Sequence, residues 1–528
     1  MMLTEGADSL NKCMITAEKS VHFRNSLLSF CNNYKNVYIY GAGKRGRKLY
    51  LALRLTELSI HGFIITEGSH NKLFGLPVRS VSDTIFEERS GVVVSFRDAD
   101  KKNIHSLIGE RADIFFIPDN IYQYLIKTLT IDSIIKHFNV SPCYELKPPS
   151  KWNNILIIRL DVIGDLIMTT PFIRELRRNC PSSHITLVVN KDMEMLFRHC
   201  PYISELVLFE AAETIISEQT EISLSCLKEK MERFASQQLK SRHYDIAFLP
   251  RQLLTGRNSI EEALLLSTST ADMRVCRVKS HIQNDTISSL FSTIYCETAE
   301  HHEVEYMLDM LVHCGCSIKD AATEIWIGEQ ERYFAQAVLE TFKYPYYIAV
   351  GLTGRNVPKK NWTAENYQKF ICRMIELYGN TFAFILFGDK EASLTANKIL
   401  QTAGNAKCHI RDLTGRTTLS QALSVMKTCC LYVGAETGVK HMAAAVRLPV
   451  VELSCALPDS TIDDESDPRR YGAWGVPRIV LKPPKGLDNC KGSCLKNYPH
   501  CIMQITVDEV IAATRNLLST TQSMHDQG

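Results

Sequence analysis

The feature of this sequence that most restricts its fold is the alternation of short apolar runs with longer segments of helical periodicity. Apolar runs of this length are typical of strands that are buried on both faces. Strands that alternate with helices form parallel sheets covered by helices, so we predict an α/β protein. The runs are VYIY (37–40), GVVVSF (91–96), NILIIRL (154–160), HITLVV (184–189), YDIAFLP (244–250), YYIAVGL (346–352), FAFILFG (382–388), LYVGAE (431–436) and PVVELS (449–454).

The length of the chain requires more than one hydrophobic core. A single core stops growing at about 250–300 residues, and this chain has 528. A polar segment with two prolines, YELKPPSKWNN, precedes the third run, and a helical pattern ends before Pro345, just ahead of the sixth. We therefore predict boundaries near 150 and 340, which give three α/β units at 1–150, 151–340 and 341–528.

Composition excludes some classes of partner. The formal net charge is only +2, with 22% charged and 45% apolar residues, so a globally basic surface for nucleic acid is absent. The first twenty residues lack the basic and apolar regions of a secretory signal. No run approaches the roughly 18–20 apolar residues of a membrane helix. We expect a cytoplasmic protein without a nucleic-acid partner, and peripheral contact with a membrane stays open.

A glycine-rich turn follows the first apolar run. Gly41, Gly43 and Gly46 have the G-x-G-x-x-G spacing, and Glu67 lies where a ribose-binding acid is expected. Such glycines let a phosphate approach a helix N-terminus. Two interpretations stay open, a bound nucleotide or a Rossmann-like unit whose glycines serve helix–strand packing. The unit is similar to small Rossmann-like modules that accompany sugar- and polysaccharide-processing enzymes, which implies an accessory role.

Two aspartates follow the third apolar run, in the segment IIRLDVIGDLIMTTPF. Loops at the carboxyl ends of parallel strands hold the ligands of open α/β sheets, so Asp161 and Asp165 are expected at that edge. A carboxylate there can act as a general base on a hydroxyl group. The alternative is that one aspartate caps a helix or pairs with Arg159. Gly164 is expected to permit a sharp turn between them.

A cluster of cysteines lies near the end of the chain. Cys490, Cys494 and Cys501 have the spacing Cys-x3-Cys-x6-Cys, and thiolates at such spacing suit a structural zinc or iron ion. His500 or the distant Cys455 could supply a fourth ligand. The alternative is a set of reduced thiols in a surface loop.

Four segments carry motifs in a fixed order. The first has the pattern I-x-R-[LT]-x-x-[IL]-G-D-x-[IL]-x-T-x-P around the two aspartates. The others are GLTGRNVPKKNWTAENYQKF (351–370), FILFGDKEA (384–392) and the long segment 412–454, which contains V-G-x-[DE]-[ST]-G-x-x-H-x-A-A-A. This order resembles glycosyltransferase family 9, the lipopolysaccharide heptosyltransferase family, over about residues 155–515. The resemblance implies a GT-B fold, two Rossmann-like domains facing across a cleft, preceded here by the small α/β unit.

The resemblance also implies roles for particular residues. Asp165 is the expected catalytic base and Asp161 is expected to bind or orient the acceptor, although which of them takes the proton stays open. Lys360 is expected to neutralise the donor phosphate. Many family members have aspartate where this chain has Glu436, so that contact is open. The donor site as a whole is expected to comprise Lys360, Thr353, Arg355, Gly388, Asp389, Glu436, Thr437, Gly438 and His441.

The reaction that the resemblance implies is an inverting transfer of a sugar, with heptose a candidate. The donor is expected to be a nucleotide-diphosphate sugar such as ADP-heptose, and the acceptor a lipopolysaccharide or another surface glycan or glycolipid. No cofactor is expected to be required for the chemistry. Two alternatives stay open: an inactive sugar-nucleotide-binding scaffold protein, and an NAD(P)-dependent oxidoreductase that uses the N-terminal domain.

Overall fold

The computed structural model describes residues 22–525, except for residues 55, 57, 68–69, 96–103, 119–120, 123–124, 127–128, 130–143, 211–223, 240–241, 253–270, 280–290, 353–357, 463, 465 and 495. The described residues contain three six-stranded sheets with mostly parallel strands. The α/β prediction is confirmed, and each of the nine apolar runs forms a strand. The strands of the three sheets lie within 1–150, 151–340 and 341–528, respectively, while the exact domain boundaries remain a prediction.

The chain divides into two compact units. The first comprises Met1–Lys147, Lys151–Leu160 and Phe209–Thr298, and the second comprises Pro148–Ser150, Asp161–Leu208 and Ala299–Gly528. Every described residue of the predicted acceptor and donor sites belongs to the second unit. No helix among the described residues is both long enough and apolar enough to cross a membrane.

The first sheet has the strand order β3-β4-β2-β1-β5-β6. All its neighbours are parallel except β3 and β4. The strand β1 lies between β2 and β5, so the chain leaves β1 in one direction and later returns on its other side. The strands are β1 (Asn36–Tyr40), β2 (Gly62–Ile65), β3 (His70–Leu73), β4 (Leu76–Ser80), β5 (Ser90–Val94) and β6 (Asp113–Phe116). The helices of this region include residues 22–33, Lys44–Arg54 and Ile104–Ile108, with a 3-10 turn at Gly109–Arg111, and the described residues 121, 122, 125, 126 and 129 are also helical.

The second sheet has the strand order β12-β11-β10-β7-β8-β9. The strand β7 is buried along nearly its whole length, as expected of a parallel strand covered on both faces. The strands are β7 (Asn154–Ile158), β8 (His184–Asn190), β9 (Glu205–Phe209), β10 (Tyr244–Gln252), β11 (Ala271–Lys279) and β12 (Thr293–Glu297). The α-helices of this part of the chain are Ile163–Met168, Thr170–Asn179, Glu194–Phe197, Leu224–Phe234 and Glu303–His313, and the shorter turns are Pro149–Lys151, Lys191–Met193 and the π-helix Ala235–Leu239.

The third sheet is entirely parallel, with the order β15-β14-β13-β16-β17-β18. From β13 the chain first builds one side of the sheet and then crosses to build the other. The strands are β13 (Tyr346–Gly351), β14 (Phe382–Phe387), β15 (Ile410–Asp412), β16 (Leu431–Ala435), β17 (Val450–Leu453) and β18 (Arg478–Leu481). The α-helices are Glu329–Glu340, Ala364–Tyr378, Ser393–Thr402, Leu419–Met426, Gly438–Ala445, Pro468–Tyr471 and Val507–His525, and the 3-10 turns are Pro358–Lys360, Gly379–Thr381, Gly404–His409 and Cys501–Gln504.

The strand order of the third sheet fixes where a ligand can enter. The order reverses between β13 and β16, and open α/β sheets bind ligands in the crevice beyond the carboxyl ends of the two strands at such a point. Gly351 at the end of β13 pairs with Gly434 of β16. A Cβ on either glycine would lie within 2.5 Å of the Tyr432 hydroxyl oxygen. These glycines therefore let the buried tyrosine fit beneath the crevice.

Candidate active site

The crevice at the strand-order reversal brings together two residues that are far apart in the sequence. Lys360 ends the 3-10 turn Pro358–Lys360 after β13, and Glu436 directly follows β16. The ammonium group of Lys360 donates a hydrogen bond to the Glu436 carboxylate. Their side chains are only 12% and 7% exposed, so the ion pair is largely removed from water. The structure thus places two of the predicted donor-site residues in direct contact.

Glu436 also faces a second lysine, which sequence reasoning missed. Lys440 lies one helical turn further on, and its Nζ is 3.6 Å from the other carboxylate oxygen of Glu436. Lys440 is fully buried, pairs with the buried Glu452 at 2.9 Å and donates to the Tyr471 carbonyl at 2.6 Å. Two lysines and two carboxylates therefore balance one another. A glutamate inside the apolar run PVVELS was the signal that could have indicated this buried pair.

The helix Gly438–Ala445 begins beside this charge network and is called here the His441 helix. Thr437 precedes it in an extended conformation, and among the described residues its side chain makes no capping hydrogen bond to the helix. The backbone N–H groups of a first helical turn carry partial positive charge and bind anions. Ala443, Ala444 and Ala445 are buried. The helix start therefore presents donors to the same crevice as Lys360.

His441 is a buried histidine on this helix. Burial lowers the pKa of the imidazole well below its usual value, and the nearby charge of Lys440 lowers it further. The imidazole is therefore neutral at neutral pH. A neutral imidazole can donate one hydrogen bond without bringing a second buried charge to the site.

The helix Ile163–Met168, called here the Asp165 helix, packs closely against the His441 helix. A Cβ on Gly164 would lie 2.8 Å from Cδ2 of His441, and a Cβ on Gly438 would lie 3.2 Å from Cβ of Ile163. Both glycines therefore permit a close approach of the two helices. The expectation that Gly164 makes a sharp turn is wrong, because Gly164 lies inside the first helical turn.

The two aspartates occupy different positions at the start of the Asp165 helix. Asp165 lies in the first turn and is partly buried, whereas Asp161 precedes the helix and is 4% exposed. A carboxylate in a first helical turn is favoured by the helix dipole. Because the Asp165 helix contacts the His441 helix, the predicted base and the predicted donor site belong to one compact region.

Two further predicted donor-site residues have local structural contacts. Asp389 is exposed, and its Oδ1 accepts a hydrogen bond from the Ala392 backbone N–H at 2.8 Å. A Cβ on Gly388 would lie 2.5 Å from Cβ of Ala392, so this glycine is needed for packing. Their roles toward a donor remain predictions. Thr353 and Arg355 lie outside the described residues.

The glycine-rich turn of the first unit follows β1, where the strand order of the first sheet also reverses. Gly41 has φ +109°, and a Cβ on Gly46 would lie only 1.6 Å from the Gly41 carbonyl oxygen. Gly43 is exposed with nothing near its missing Cβ, and Glu67 is exposed. Backbone conformation therefore explains Gly41, and packing explains Gly46, without a ligand. A nucleotide in this unit remains a prediction.

The C-terminal cysteines form a cluster that could hold a metal ion. The candidate ligand atoms of Cys490, Cys494, His500 and Cys501 all lie within 4.8 Å of one another. Of the two candidates for a fourth ligand, the structure brings His500 into this group. Cys455 instead lies 3.4 Å from the Ser466 hydroxyl.

The two doubly wound sheets of residues 151–528 and the crevice of the third sheet fit the predicted GT-B fold. The sequence model of glycosyltransferase family 9 (heptosyltransferase) matches residues 233–457. Lipooligosaccharide heptosyltransferase 2 of Haemophilus ducreyi is 23% identical over 377 residues, which are 69% of this chain and 99% of that protein. The chain is therefore similar to members of glycosyltransferase family 9 over 69% of its length.

Solved structures support the fold assignment. The glycosyl transferase family 9 protein from Veillonella parvula superposes with a TM-score of 0.56 and 20% identity, over 72% of this chain and 99% of that one. The E. coli ADP-heptose lps heptosyltransferase II superposes with a TM-score of 0.53 and 18% identity, over 70% and 99%. The predicted GT-B fold is confirmed.

Proposed function

We propose that this glycosyltransferase moves a heptose from ADP-heptose to a lipopolysaccharide acceptor with inversion at the anomeric carbon. The observation that carries the proposal is the charged crevice, where Lys360, Glu436 and the start of the His441 helix meet the Asp165 helix. The names of the relatives supply the donor and the class of acceptor. Transfer at the inner face of the membrane, through peripheral contact, belongs to the same proposal.

The donor diphosphate would take the place of Glu436 as the partner of Lys360. A phosphate oxygen beside Glu436 would be repelled, but Lys440 lies 3.6 Å from that carboxylate and would offset part of its charge. The backbone N–H groups after Thr437 would bind a second phosphate oxygen. These groups would stabilise the negative charge that develops on the leaving diphosphate.

Asp165 would act as the general base. Its carboxylate takes the proton of an acceptor hydroxyl while that oxygen forms a bond to the anomeric carbon, and the bond from that carbon to the diphosphate oxygen breaks. The electron pair of the broken bond leaves with the nucleoside diphosphate. A single displacement of this kind inverts the configuration. Asp161 would orient the acceptor, and the positive charges of the crevice would serve the step without a cofactor.

Calorimetric titration with ADP, GDP, UDP and dTDP tests the donor site. We expect ADP to bind and Lys360→Ala to weaken its binding about 10- to 100-fold, because a hydrogen bond to a charged group is worth about 1.5–3 kcal/mol. Lys359→Ala is the matched control, since it removes the same charge from the same 3-10 turn. Absence of binding by all four nucleotides would contradict the donor site and favour an inactive scaffold.

The base and the stereochemistry need a transfer assay. Asp165→Asn should abolish most of the transfer while leaving ADP affinity unchanged, and Asp161→Asn should mainly raise the KM for the acceptor. The anomeric configuration of the product, measured by NMR, decides between inversion and retention. Equal activity of wild type and Asp165→Asn would remove Asp165 as the base.

A further inference from the structure

Residues 486–494 and 496–501, called here the cysteine loop, contact Leu457 and Asp459, which follow β17. We infer that the cysteine loop binds one structural zinc ion through three thiolates and one imidazole nitrogen, and that the ion braces the turn that carries Lys360. The ligands are Cys490, Cys494, His500 and Cys501. The bracing role rests on the proposed function, whereas the metal site does not.

The distances between the ligand atoms fit a tetrahedral ion. The Nδ1 atom of His500 lies 3.9 Å from Sγ of Cys490, 3.7 Å from Sγ of Cys494 and 3.3 Å from Sγ of Cys501. Zinc bonds of about 2.3 Å to sulfur and about 2.0–2.1 Å to nitrogen place a tetrahedral sulfur–nitrogen pair about 3.6 Å apart. The imidazole nitrogen therefore already lies at ligand spacing from the three sulfur atoms, and all four ligand atoms lie within 4.8 Å of one another.

A carboxylate orients the imidazole for this role. The Nε2 atom of His500 lies 3.1 Å from the Asp488 carboxylate, so Nε2–H can donate to it while Nδ1 faces the three thiols. Metal-binding histidines are commonly held in this way, by a carboxylate on the nitrogen that does not bind the metal. The His500 side chain is 9% exposed, which limits access of water to the ligand side.

The three sulfur atoms lie in an apolar environment. Cys490, Cys494 and Cys501 are at most 5% exposed, are free of disulfides and pack with Leu457 and Leu487. Three adjacent buried thiols and one imidazole make a Cys3His set, which is a common ligand set of structural zinc sites with all four positions filled by protein.

The backbone of the cysteine loop is strained where it carries the orienting carboxylate. Asp488 and Asn489 both have positive φ, +46° and +62°, a conformation that consecutive residues with side chains seldom adopt. Such strain persists where the surroundings fix the chain. An ion that ties Cys490 to His500 supplies such a constraint across the turn. The Gly492 N–H also donates to Asp459 at 3.0 Å, which anchors the loop to the segment after β17.

One ligand leads directly to the Lys360 turn. Cys501 begins the 3-10 turn Cys501–Gln504, which contacts the turn Pro358–Lys360. Trp362, two residues beyond Lys360, is fully buried and donates its indole N–H to the Ile505 carbonyl at 2.8 Å. Ile502 is fully buried in the same core as Trp362. An ion that fixes Cys501 therefore also fixes the 3-10 turn that packs against the Lys360 turn.

Metal analysis of the full chain tests the site. Protein purified under reducing conditions should contain about one zinc per chain by mass spectrometry, and Cys494→Ser and His500→Ala should lose it. His500→Cys keeps a zinc ligand and should retain the metal, and the exposed Cys408 gives the control Cys408→Ser. Asp488→Asn should lower zinc affinity about 10- to 100-fold. Iron in place of zinc would overturn the choice of ion, and no metal even after zinc is supplied during reductive refolding would overturn the site.

The bracing role needs a separate measurement. In the metal-depleted full chain, amide hydrogen exchange of residues 358–362 should be faster and ADP affinity should fall about tenfold or more, since small displacements of binding groups are costly. A zinc-containing wild type whose ADP affinity and exchange are unchanged on depletion would overturn the bracing role and leave the site. A wild type that holds zinc and binds no nucleotide would overturn the proposed function and, with it, the bracing role.

Discussion

Replacing Gly164 with alanine tests the close approach between the Asp165 helix and the His441 helix. The added Cβ would lie 2.8 Å from Cδ2 and 3.3 Å from Nε2 of His441. Carbon atoms in contact prefer a separation of about 3.5–4.0 Å, so the two helices must separate by roughly 1 Å or the imidazole must rotate. His441 is only 5% exposed, so rotation of its imidazole would displace buried neighbours.

Two opposing effects decide the sign of the change in stability. Alanine is favoured over glycine in a helix by about 0.8–1.0 kcal/mol. Overpacking a buried contact costs about 1–3 kcal/mol. We therefore expect Gly164→Ala to lower the free energy of unfolding by about 1 kcal/mol, within a range of about 0–2 kcal/mol. A displacement of about 1 Å should reduce transfer about 100-fold.

Urea denaturation and a transfer assay measure these two effects. Gly43→Ala is the stability control, because nothing lies within 4 Å of the Cβ it would add, and it should change the free energy of unfolding by less than about 0.5 kcal/mol. In a His441→Ala background the clash is absent, so Gly164→Ala should become neutral or stabilising. A single Gly164→Ala variant that is as stable and as active as wild type would refute the predicted contact.

Three other predictions concern buried groups. Lys440→Met leaves the carboxylate of Glu452 buried without its cation, which should lower the free energy of unfolding by about 3–5 kcal/mol in urea denaturation. Adding Glu452→Gln should restore most of that loss. A single Lys440→Met variant as stable as wild type would contradict this expectation. Burial lowers the pKa of His302 to about 3. In the unfolded chain the imidazole becomes protonated near pH 6.5, so the free energy of unfolding should fall as the pH drops from 6.5 toward 3. The contribution of this residue is about 1.4 kcal/mol per pH unit. His302→Asn, which can still cap its helix, should reduce that slope, and an unchanged slope would contradict the assignment. Gly46→Ala should lower the melting temperature because its Cβ would meet backbone 1.6 Å away, whereas Gly43→Ala should leave it unchanged; equal melting temperatures for all three proteins would remove the packing explanation of Gly46.

Much of the fold could be predicted because parallel strands buried on both faces read as continuous apolar runs. The crevice residues Lys360 and Glu436 were indicated by the resemblance to glycosyltransferase family 9 and not by the pattern of apolar runs. The strand order that brings them into contact was not readable. It depends on which way the chain crosses the sheet after β15, and that choice is made by packing between distant segments.

The residues that sequence reasoning missed act through partners that only the fold brings near. In the sequence Lys440 is one polar residue among others in a helix. The fold shows its role, because it places Glu452 of the neighbouring strand 2.9 Å from the Lys440 ammonium group. Gly164 had a turn-like context but serves a contact with His441, almost three hundred residues away. The choice of His500 as the fourth candidate ligand required the distance from Nδ1 to three sulfur atoms.

The glutamate at position 436, where many family members have aspartate, has a physical explanation in Lys440. One carboxylate oxygen of Glu436 accepts from Lys360, and the other lies 3.6 Å from the Lys440 ammonium. An aspartate would withdraw the carboxylate by about 1.5 Å, the length of one carbon–carbon bond, and could not keep both contacts. A buried lysine one turn into the helix therefore favours the longer acid. The longer acid in turn keeps a cation beside it when a diphosphate takes Lys360, so we treat Glu436 and Lys440 as one unit of the proposed donor site.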